Sequence, residues 1–433
     1  MTDNKKLPNW LVCLGYGIGV GVAVGVIVVL FKLVAEWVIK ESAYLYGLVA
    51  NNPVWIALLI VALAVIATAM HFVQKWCKES KGGGIPRAEG AITGVLSLRP
   101  IRTAVAVVTN SLLSFLAGLP LGSEGPSVLL GTSVGGAISN LPLGKDYKRI
   151  ILASGASAGF AVATCAPLSG VVFVFEEILK ELKPVALTVV GLAVATATMV
   201  SNGILDLFGH HPEPLFNIQI TANFALDTLW VPFVLGAAVG FGAFGFNQLV
   251  YLCGKLNKKL FKSAWLKYVV LFVTIGVVGV FLPQLLGGGA GVIQDVSNVA
   301  FPLITLVVLL IAKSIAVSLS NSSGATGGMF IPLLCVGALV GALCGRLFVV
   351  MGMSEDVFPL VVLVASATFM GASTGAPLTA TVFVMEYSNT SVAPYVLIVA
   401  LVSSFVMHVF KQNNLYDVNL HNLVQEESCA ISN

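Results

Sequence analysis

Long apolar stretches recur along this 433-residue chain and constrain its fold more than any other feature. Only 10% of the residues are charged, whereas a soluble domain has roughly 25%. A transmembrane β-barrel would show alternating apolar and polar residues, and these stretches do not alternate. The pattern therefore predicts an all-α polytopic membrane protein whose helices bury one another. Stretches long enough to span or nearly span a bilayer include residues 11–33, 54–69, 185–200, 230–250, 268–285 and 302–317.

Basic residues are concentrated in four segments between the apolar stretches. These segments contain Lys75, Lys78, Lys81 and Arg87; Lys145, Lys148 and Arg149; Lys180 and Lys183; and Lys255, Lys258, Lys259, Lys262 and Lys267. Residues 41–53, 202–227 and 283–300, interpreted as connections, contain no Lys or Arg. The positive-inside rule places the basic segments in the cytoplasm and the other connections outside. We expect a multi-pass protein of the inner cell membrane with both termini cytoplasmic. Flanking apolar spans make topology a better explanation of the basic clusters than nucleic-acid binding.

An internal repeat divides the chain into two halves. Residues 166–176 resemble residues 376–386 at an offset of 210, and Pro126, Gly131 and Gly135 recur as Pro332, Gly337 and Gly341 at an offset of 206. We predict one transmembrane domain, residues 1–420, built from inverted repeats at about 8–220 and 225–420, with a short cytoplasmic tail at 421–433. Glu176 and Glu386 occupy matching positions, which favours a fold-supporting role for both. Inverted repeats often form their site at the midplane, where broken helices meet.

Three glycine-rich motifs end in proline where a helix would begin. They are residues 82–86 (Gly-Gly-Gly-Ile-Pro), 122–126 (Gly-Ser-Glu-Gly-Pro) and 328–332 (Gly-Met-Phe-Ile-Pro). Converging helix starts would present free N–H groups and positive dipole ends to one point. The motifs contain no Lys or Arg, so partial charges would hold an anion without trapping it. Glu124 places an ionisable group among them, which marks a functional site inside a membrane.

In these motifs the sequence resembles the CLC family of chloride channels and anion/proton antiporters, whose members carry motifs of the types GSGIP, G[KR]EGP and GxFxP. The resemblance covers nearly the whole membrane part and includes Glu176-Glu177 and a tyrosine in the last segment. It implies a CLC-type inverted-repeat bundle of tilted and broken helices. It also implies a homodimer in the bilayer, with chloride or a similar small anion and protons as the transported species. We expect a compact prokaryotic-type member without cytoplasmic regulatory domains.

The resemblance also implies individual roles. Glu124 resembles the external gating glutamate, and Glu177 resembles the internal proton-transfer glutamate of the antiporters. The hydroxyl of Tyr416 resembles the one that touches the central anion. The residues implied to bind the anion are Gly83, Gly84, Ile85, Gly125, Met329, Phe330, Ile331 and Tyr416.

Two positions depart from the family pattern. The family's central serine is Gly83 here, which removes a hydroxyl donor from the anion site. The basic residue before the gating glutamate is Ser123 here, which should weaken anion attraction at the outer mouth. Pro126 and the Glu176-Glu177 pair match ordinary members better than the fluoride-exporting branch.

Several alternatives remain open from the sequence. The chain could be an uncoupled channel or carrier for chloride, nitrate or fluoride instead of a chloride/proton exchanger. Glu177 could lie at a solvated helix end, and Tyr416 could be an interfacial aromatic residue. Arg87 and Glu89 are expected to form surface or interface pairs, and the intramembrane Lys313 needs a partner. His210-His211 suggests a solvated outer loop rather than a metal site. No enzyme motif, cofactor or metal site is indicated.

Overall fold

The fold is an assembly of helices without a sheet in the part of the chain that the structure describes. The computed structural model describes residues 10–141, 144–210, 218, 228–298, 301–388 and 390–431. These residues contain no strand, which agrees with the predicted all-α class. Their helices are α1 (Trp10–Asn51), α2 (Ile56–Trp76), α3 (Ile85–Thr93), α4 (Pro100–Leu116), α5 (Glu124–Ile138), α6 (Lys148–Thr164), α7 (Pro167–Phe173), α8 (Pro184–Leu207), α9 (Trp230–Leu260), α10 (Ala264–Phe281), α11 (Ala290–Asn298), α12 (Leu303–Ser323), α13 (Phe330–Val350), α14 (Phe358–Thr374), α15 (Pro377–Tyr387), α16 (Ala393–Val409) and α17 (Leu415–Ile431). A π-helix at Val174–Leu179 directly follows α7.

Nine helical segments in the described part are long and apolar enough to cross a membrane. The six apolar stretches named from the sequence lie mainly in α1, α2, α8, α9, α10 and α12. The predicted connection at residues 41–53 is wrong, because α1 continues to Asn51. Ser42 and Tyr46 explain the extension, since they continue its buried face and donate hydrogen bonds to the carbonyls of Leu116 (3.0 Å) and Ala117 (2.8 Å).

Matching helix pairs appear in the two halves. Helix α1 packs on α8 as α9 packs on α16, and α5 packs on α6 as α13 packs on α14. Glycines allow α5 to pack on α6 and α13 to pack on α14. A Cβ atom on Gly131 of α5 would lie 2.1 Å from the carbonyl oxygen of Gly155 of α6. A Cβ atom on Gly337 would lie 2.5 Å from the Cβ of Phe369. The repeated glycines are therefore needed for close helix packing.

A reciprocal pair of hydrogen-bonded caps joins the two halves. The Glu176 carboxylate accepts hydrogen bonds from the N–H groups of Leu378 (2.8 Å) and Thr379 (2.7 Å) at the start of α15. The Glu386 carboxylate accepts from the N–H groups of Leu168 (2.7 Å) and Ser169 (2.8 Å) at the start of α7. Each glutamate satisfies first-turn amides of the other repeat, as the expected fold-supporting role requires.

Lys313 in the middle of α12 finds its partners in the backbone. Its side chain is fully buried, and its Nζ donates to the carbonyls of Leu285 (3.0 Å) and Gly287 (2.8 Å), with longer contacts to those of residues 284 and 286. The N–H of Gly287 in turn donates to the carbonyl of Gly118 at 3.1 Å. A buried ammonium is tolerated because carbonyl oxygens replace its water. Lys313 therefore fixes the segment between α10 and α11 against α12, and Gly287 joins this segment to the residues just after α4.

The reciprocal caps predict a loss of stability that should be the same for both glutamates. Replacing Glu386 or Glu176 with alanine leaves first-turn amides unpaired, which costs roughly 1–3 kcal/mol. Each variant should therefore show a lower melting temperature in detergent than the exposed-site control Glu355→Ala. Melting temperatures equal to that of the control would contradict the capping role.

Candidate functional site

The three glycine-rich motifs meet at one place in the interior. Gly122 and Gly328 form a pair of antiparallel backbone hydrogen bonds, with N–H to O distances of 2.8 and 2.6 Å. The N–H of Gly82 donates to the carbonyl of Gly324 at 3.3 Å, just before the third motif. Backbone pairing therefore joins the segments before α3 and α5, in the first repeat, to the segment before α13, in the second repeat.

Glycine is required at the contacts between these motifs. A Cβ atom on Gly125 would lie 1.9 Å from the carbonyl oxygen of Gly83, and one on Gly84 would lie 2.2 Å from that of Gly125. Gly84 also has a φ of +86°, which side-chain-bearing residues rarely adopt. Gly83 differs, because a Cβ atom there would meet only the Gly327 carbonyl oxygen at 3.6 Å. The position of the missing serine therefore has space for a small side chain.

The helix starts at these motifs lack side-chain caps. Helices α3, α5 and α13 begin at Ile85, Glu124 and Phe330, and none has a side-chain hydrogen bond at its N-cap. The sequence prediction of helix starts at the motifs is therefore confirmed. First-turn N–H groups have no partner within their own helix, and the helix dipole adds positive partial charge there. Together the three starts can hold an anion in a protein-enclosed space.

Glu124 is the first residue of α5 and its side chain is fully buried. Its Oε1 accepts a hydrogen bond from the Ser123 hydroxyl at 3.3 Å, and its Oε2 has no hydrogen-bond partner among the described residues. A Cβ atom placed on Gly122 would lie 2.3 Å from Oε2 and 3.4 Å from the Cβ of Ile331. The carboxylate therefore lies between the starts of α5 and α13, beside N–H groups of the kind that attract anions.

Tyr416 is buried at the start of α17, with 2% of its surface exposed. Its hydroxyl has no hydrogen-bond partner in the described part of the chain, and it lies within electrostatic range of Glu124 and Glu177. This burial rules out the alternative that Tyr416 is an interfacial aromatic residue. An unpaired buried hydroxyl costs roughly 1–3 kcal/mol, which favours a ligand as its partner.

Phe330 belongs to a buried aromatic cluster beside the helix starts. Its ring packs edge-on against Phe160 and Phe383, with centroid distances of 4.9 and 5.5 Å. Phe160 also stacks on Phe173 at 4.6 Å. These rings fix the start of α13 and exclude water from one side of the site, which strengthens the interaction of its amides with charge.

Glu177 lies in the π-helix and is 1% exposed, so it is not at a solvated helix end. Its Oε1 has no hydrogen-bond partner among the described residues. Carboxylate oxygens of Glu177, Glu89 and Asp417 all lie within 4.8 Å of one another. They come from the π-helix, α3 and α17, so three separate segments form one acidic group.

Lys180 provides the cation of this acidic group. Its Nζ lies 3.2 Å from Glu89 Oε1 and 3.0 Å from Asp417 Oδ1, while its own backbone has a φ of +53°. Burial opposes its charge, but the hydrogen bond to Asp417 and the charge of Glu89 hold the pKa of Lys180 above its ordinary value. Lys180 therefore stays protonated and partly balances the carboxylates.

Sequence reasoning did not assign a functional role to Glu89, Asp417 or Lys180. Asp417 directly follows Tyr416 and Glu89 lies in the helix that begins at the first glycine motif, so proximity to motif residues was the available signal. The sequence predicts surface or interface pairs for Arg87 and Glu89, and the prediction of surface pairs is wrong. Both are buried, and Arg87 forms an ion pair with Glu427 of α17. Of the histidine pair, His210 is exposed and His211 lies outside the described residues.

Comparison with known proteins identifies similar sequences. The family model for voltage gated chloride channels matches residues 64–408. The H(+)/Cl(-) exchange transporter ClcA of Vibrio campbellii is 30% identical over 361 residues, which cover 81% of this chain and 75% of that protein. ClcA of Vibrio cholerae is 27% identical over 388 residues, covering 87% of this chain and 81% of that protein.

Solved structures share the fold over almost the entire chain. A slow cyanobacterial Cl⁻/H⁺ antiporter aligns with a TM-score of 0.89 and 24% identity, covering 98% of this chain and all of that one. A CLC-type fluoride/proton antiporter aligns with a TM-score of 0.78 and 20% identity, covering 94% of this chain and 96% of that one. These similarities establish a CLC-type helical bundle.

The contrast between Gly83 and Gly84 predicts opposite outcomes for two adjacent substitutions. Gly84→Ala would combine a positive φ with overpacking against Gly125, each costing roughly 1–3 kcal/mol. Gly83→Ala meets only an ordinary contact and should leave the melting temperature and elution volume of the purified protein nearly unchanged. Equal melting temperatures for the two variants would contradict the packing described for the motifs.

Proposed function

The chain belongs to the voltage gated chloride channel (CLC) family, and we propose that it exchanges chloride for protons across a membrane. The observation that carries this proposal is the position of Glu124. Its carboxylate lies between two uncapped helix starts, with one oxygen unpartnered among the described residues. The name of the Vibrio relatives, H(+)/Cl(-) exchange transporter, supports the same activity.

Glu124 is proposed to act as the outer gate. An ionised carboxylate and an anion compete for the same amides, because both are stabilised by N–H groups and positive dipole ends. Protonation removes the negative charge and the competition, so that the anion enters as Glu124 takes up a proton. The anion then passes residues 83–85, 329–331 and Tyr416, all at or next to the helix starts described above.

Glu177 is proposed to pass protons between Glu124 and the aqueous side near α17. It is buried, as is Glu89, whereas Asp417 and Lys180 of the same group are partly exposed. A proton arriving from solvent can therefore move through Asp417 and Glu89 to Glu177. Tyr416 lies within electrostatic range of both glutamates, which supports an anion path that runs beside the proton path.

Contacts among the basic segments support an orientation in the membrane. Arg149 pairs with Glu181 at 2.7 Å, Lys180 pairs with Asp417 of α17 at 3.0 Å, and Lys81 pairs with Glu426 of α17 at 2.6 Å. The basic segments therefore gather at the end of the molecule that carries α17. We propose that this end faces the cytoplasm, by the positive-inside rule, with both termini there and the protein in the inner cell membrane.

A homodimer is part of the same proposal. Leu168 and Leu378 occupy matching positions beside the reciprocal caps and are 63% and 52% exposed. They offer an apolar surface that a second copy could cover. An uncoupled channel is the second candidate function, favoured by the absence of a side chain at Gly83, where the structure has space for one.

Glu124→Gln should separate anion flux from proton movement. The amide keeps the size of the side chain but cannot carry a proton, so chloride flux in proteoliposomes should persist while chloride-driven proton uptake falls to background. Both fluxes are recorded at once, with a chloride electrode and a pH electrode. The control Glu181→Gln changes a partly exposed carboxylate outside the proposed paths and should keep both fluxes. Proton uptake by Glu124→Gln would show that Glu124 is not the gate.

Glu177→Gln should give the same separation from the opposite side of the membrane. Chloride flux should continue, since Glu177 is not at the helix starts, and proton uptake should be lost.

The voltage at which current reverses distinguishes the two candidate functions. In the unmodified protein a pH gradient should shift this voltage, and in the variant it should not. No shift in the unmodified protein would mean that the chain is an uncoupled channel.

Gly83→Ser should restore a hydroxyl donor to the anion path. The space at Gly83 accepts a small side chain, and a hydrogen bond contributes roughly 0.5–1.5 kcal/mol, or about two- to tenfold in relative affinity. The ratio of chloride to nitrate flux should therefore change within that range. An unchanged ratio in a folded variant would indicate that Gly83 does not line the anion path.

A further inference from the structure

A cavity of about 930 Å³ opens at the end of the molecule that carries α17. Gly82 and Gly83 line it, so it leads directly to the first glycine motif. Small-molecule sites usually have volumes of roughly 300–1,000 Å³. The cavity is therefore large enough for a ligand with several charged groups, far larger than a halide ion.

The lining of this cavity is strongly basic. It contains two carboxylates, Asp417 and Glu426, of which Glu426 pairs with Lys81 at 2.6 Å. Within the described residues, none of the other lining lysines forms an ion pair with a carboxylate. The lining lysines are Lys81, Lys255, Lys258, Lys262, Lys267 and Lys411.

The lysines come from several segments that the fold brings together. Lys255 and Lys258 lie in the last turns of α9, Lys262 lies in the α9–α10 connection, and Lys411 precedes α17. Lys267 is half-buried in the first turn of α10, within electrostatic range of Lys81 and Lys258 and of one carboxylate, Glu426. Like charges around a concave surface repel one another, and a multivalent anion relieves more of this repulsion than a monovalent one.

Neutral donors complete the surface. Asn413, Asn422 and Gln412 line the cavity together with the lysines. Phosphate groups accept hydrogen bonds from both amides and ammonium groups, and lysine is a common phosphate ligand. A ligand with two or more phosphates could contact α9, α10 and the segment before α17 at once.

We propose that this cavity binds a multivalent phosphate-bearing anion, which blocks the route from solvent to Gly83. Two sources share this chemistry: a free nucleotide or polyphosphate, and the phosphorylated headgroup of a lipid. Binding does not depend on the transport activity, whereas the blocking effect rests on the proposed function.

Binding is tested first, with purified protein and inorganic tripolyphosphate in a calorimeter. The double variant Lys258→Gln/Lys262→Gln should bind roughly 10- to 100-fold more weakly, since each lost charge-assisted hydrogen bond costs about tenfold. The matched control is Lys259→Gln/Lys148→Gln, which removes the same charge outside the cavity. It should bind as the unmodified protein does. Affinity should also fall as salt is added.

The blocking effect is tested on chloride flux in proteoliposomes. Tripolyphosphate added outside should inhibit the molecules whose cavity faces outward, and loading it inside as well should inhibit the rest. Inhibition should be weaker in Lys258→Gln/Lys262→Gln and unchanged in the control pair. Vesicles with and without a bisphosphorylated inositol lipid separate the two sources: lysine-dependent inhibition by that lipid alone supports the lipid headgroup.

The outcomes distinguish this inference from the proposed function. The cavity proposal is overturned if tripolyphosphate or the lipid binds both double variants equally. It is also overturned if neither ligand binds to the protein or inhibits it. Lysine-dependent binding without any chloride flux in the unmodified protein leaves the site in place and contradicts the transport function instead.

Discussion

The backbone contact among the three glycine motifs is the constraint on which the rest of the structure depends. The carbonyl oxygens of Gly83 and Gly125 occupy the places where Cβ atoms of Gly125 and Gly84 would lie. The paired hydrogen bonds between Gly122 and Gly328 add a fixed connection between the two repeats. Because side chains are excluded there, three helix starts can face one small volume.

Charge is distributed around this volume in two different ways. At the helix starts, the described residues supply backbone partial charges and one buried carboxylate, Glu124, which lies within electrostatic range of Lys32. Partial charges hold an anion weakly. Toward α17, full charges dominate: Lys180 pairs with Glu89 and Asp417, and six lysines line the adjoining cavity. The proposed transport needs both, since weak binding permits passage and the basic cavity raises the local anion concentration.

The sequence predicted the helix starts and the duplication because both leave local signals. Glycine and proline mark where a helix begins, and constant offsets reveal the repeat. The burial of Glu124 followed from the same motif. The extension of α1 to Asn51 was missed, because the polar and small residues after Glu41 resemble a connection. In the structure, Ser42 and Tyr46 hydrogen-bond to the last residue of α4 and to the residue that follows it.

The partners of isolated charges could not be predicted. Lys313 binds backbone carbonyls, which have no signature in the sequence. Lys180, Glu89 and Asp417 come from segments that meet only in three dimensions. The basic segments were interpreted as topology alone, and only the fold reveals that some of their lysines line a single cavity.

The central claim is that the Glu124 carboxylate and a transported anion occupy the same position. A crystal structure of Glu124→Gln grown in bromide tests this most directly, because bromide is located by its anomalous scattering. The account predicts an anomalous peak beside Gly122 and Ile331, near the place that Glu124 Oε2 holds in the unmodified protein. Bromide bound elsewhere, with no peak between the starts of α5 and α13, would contradict it.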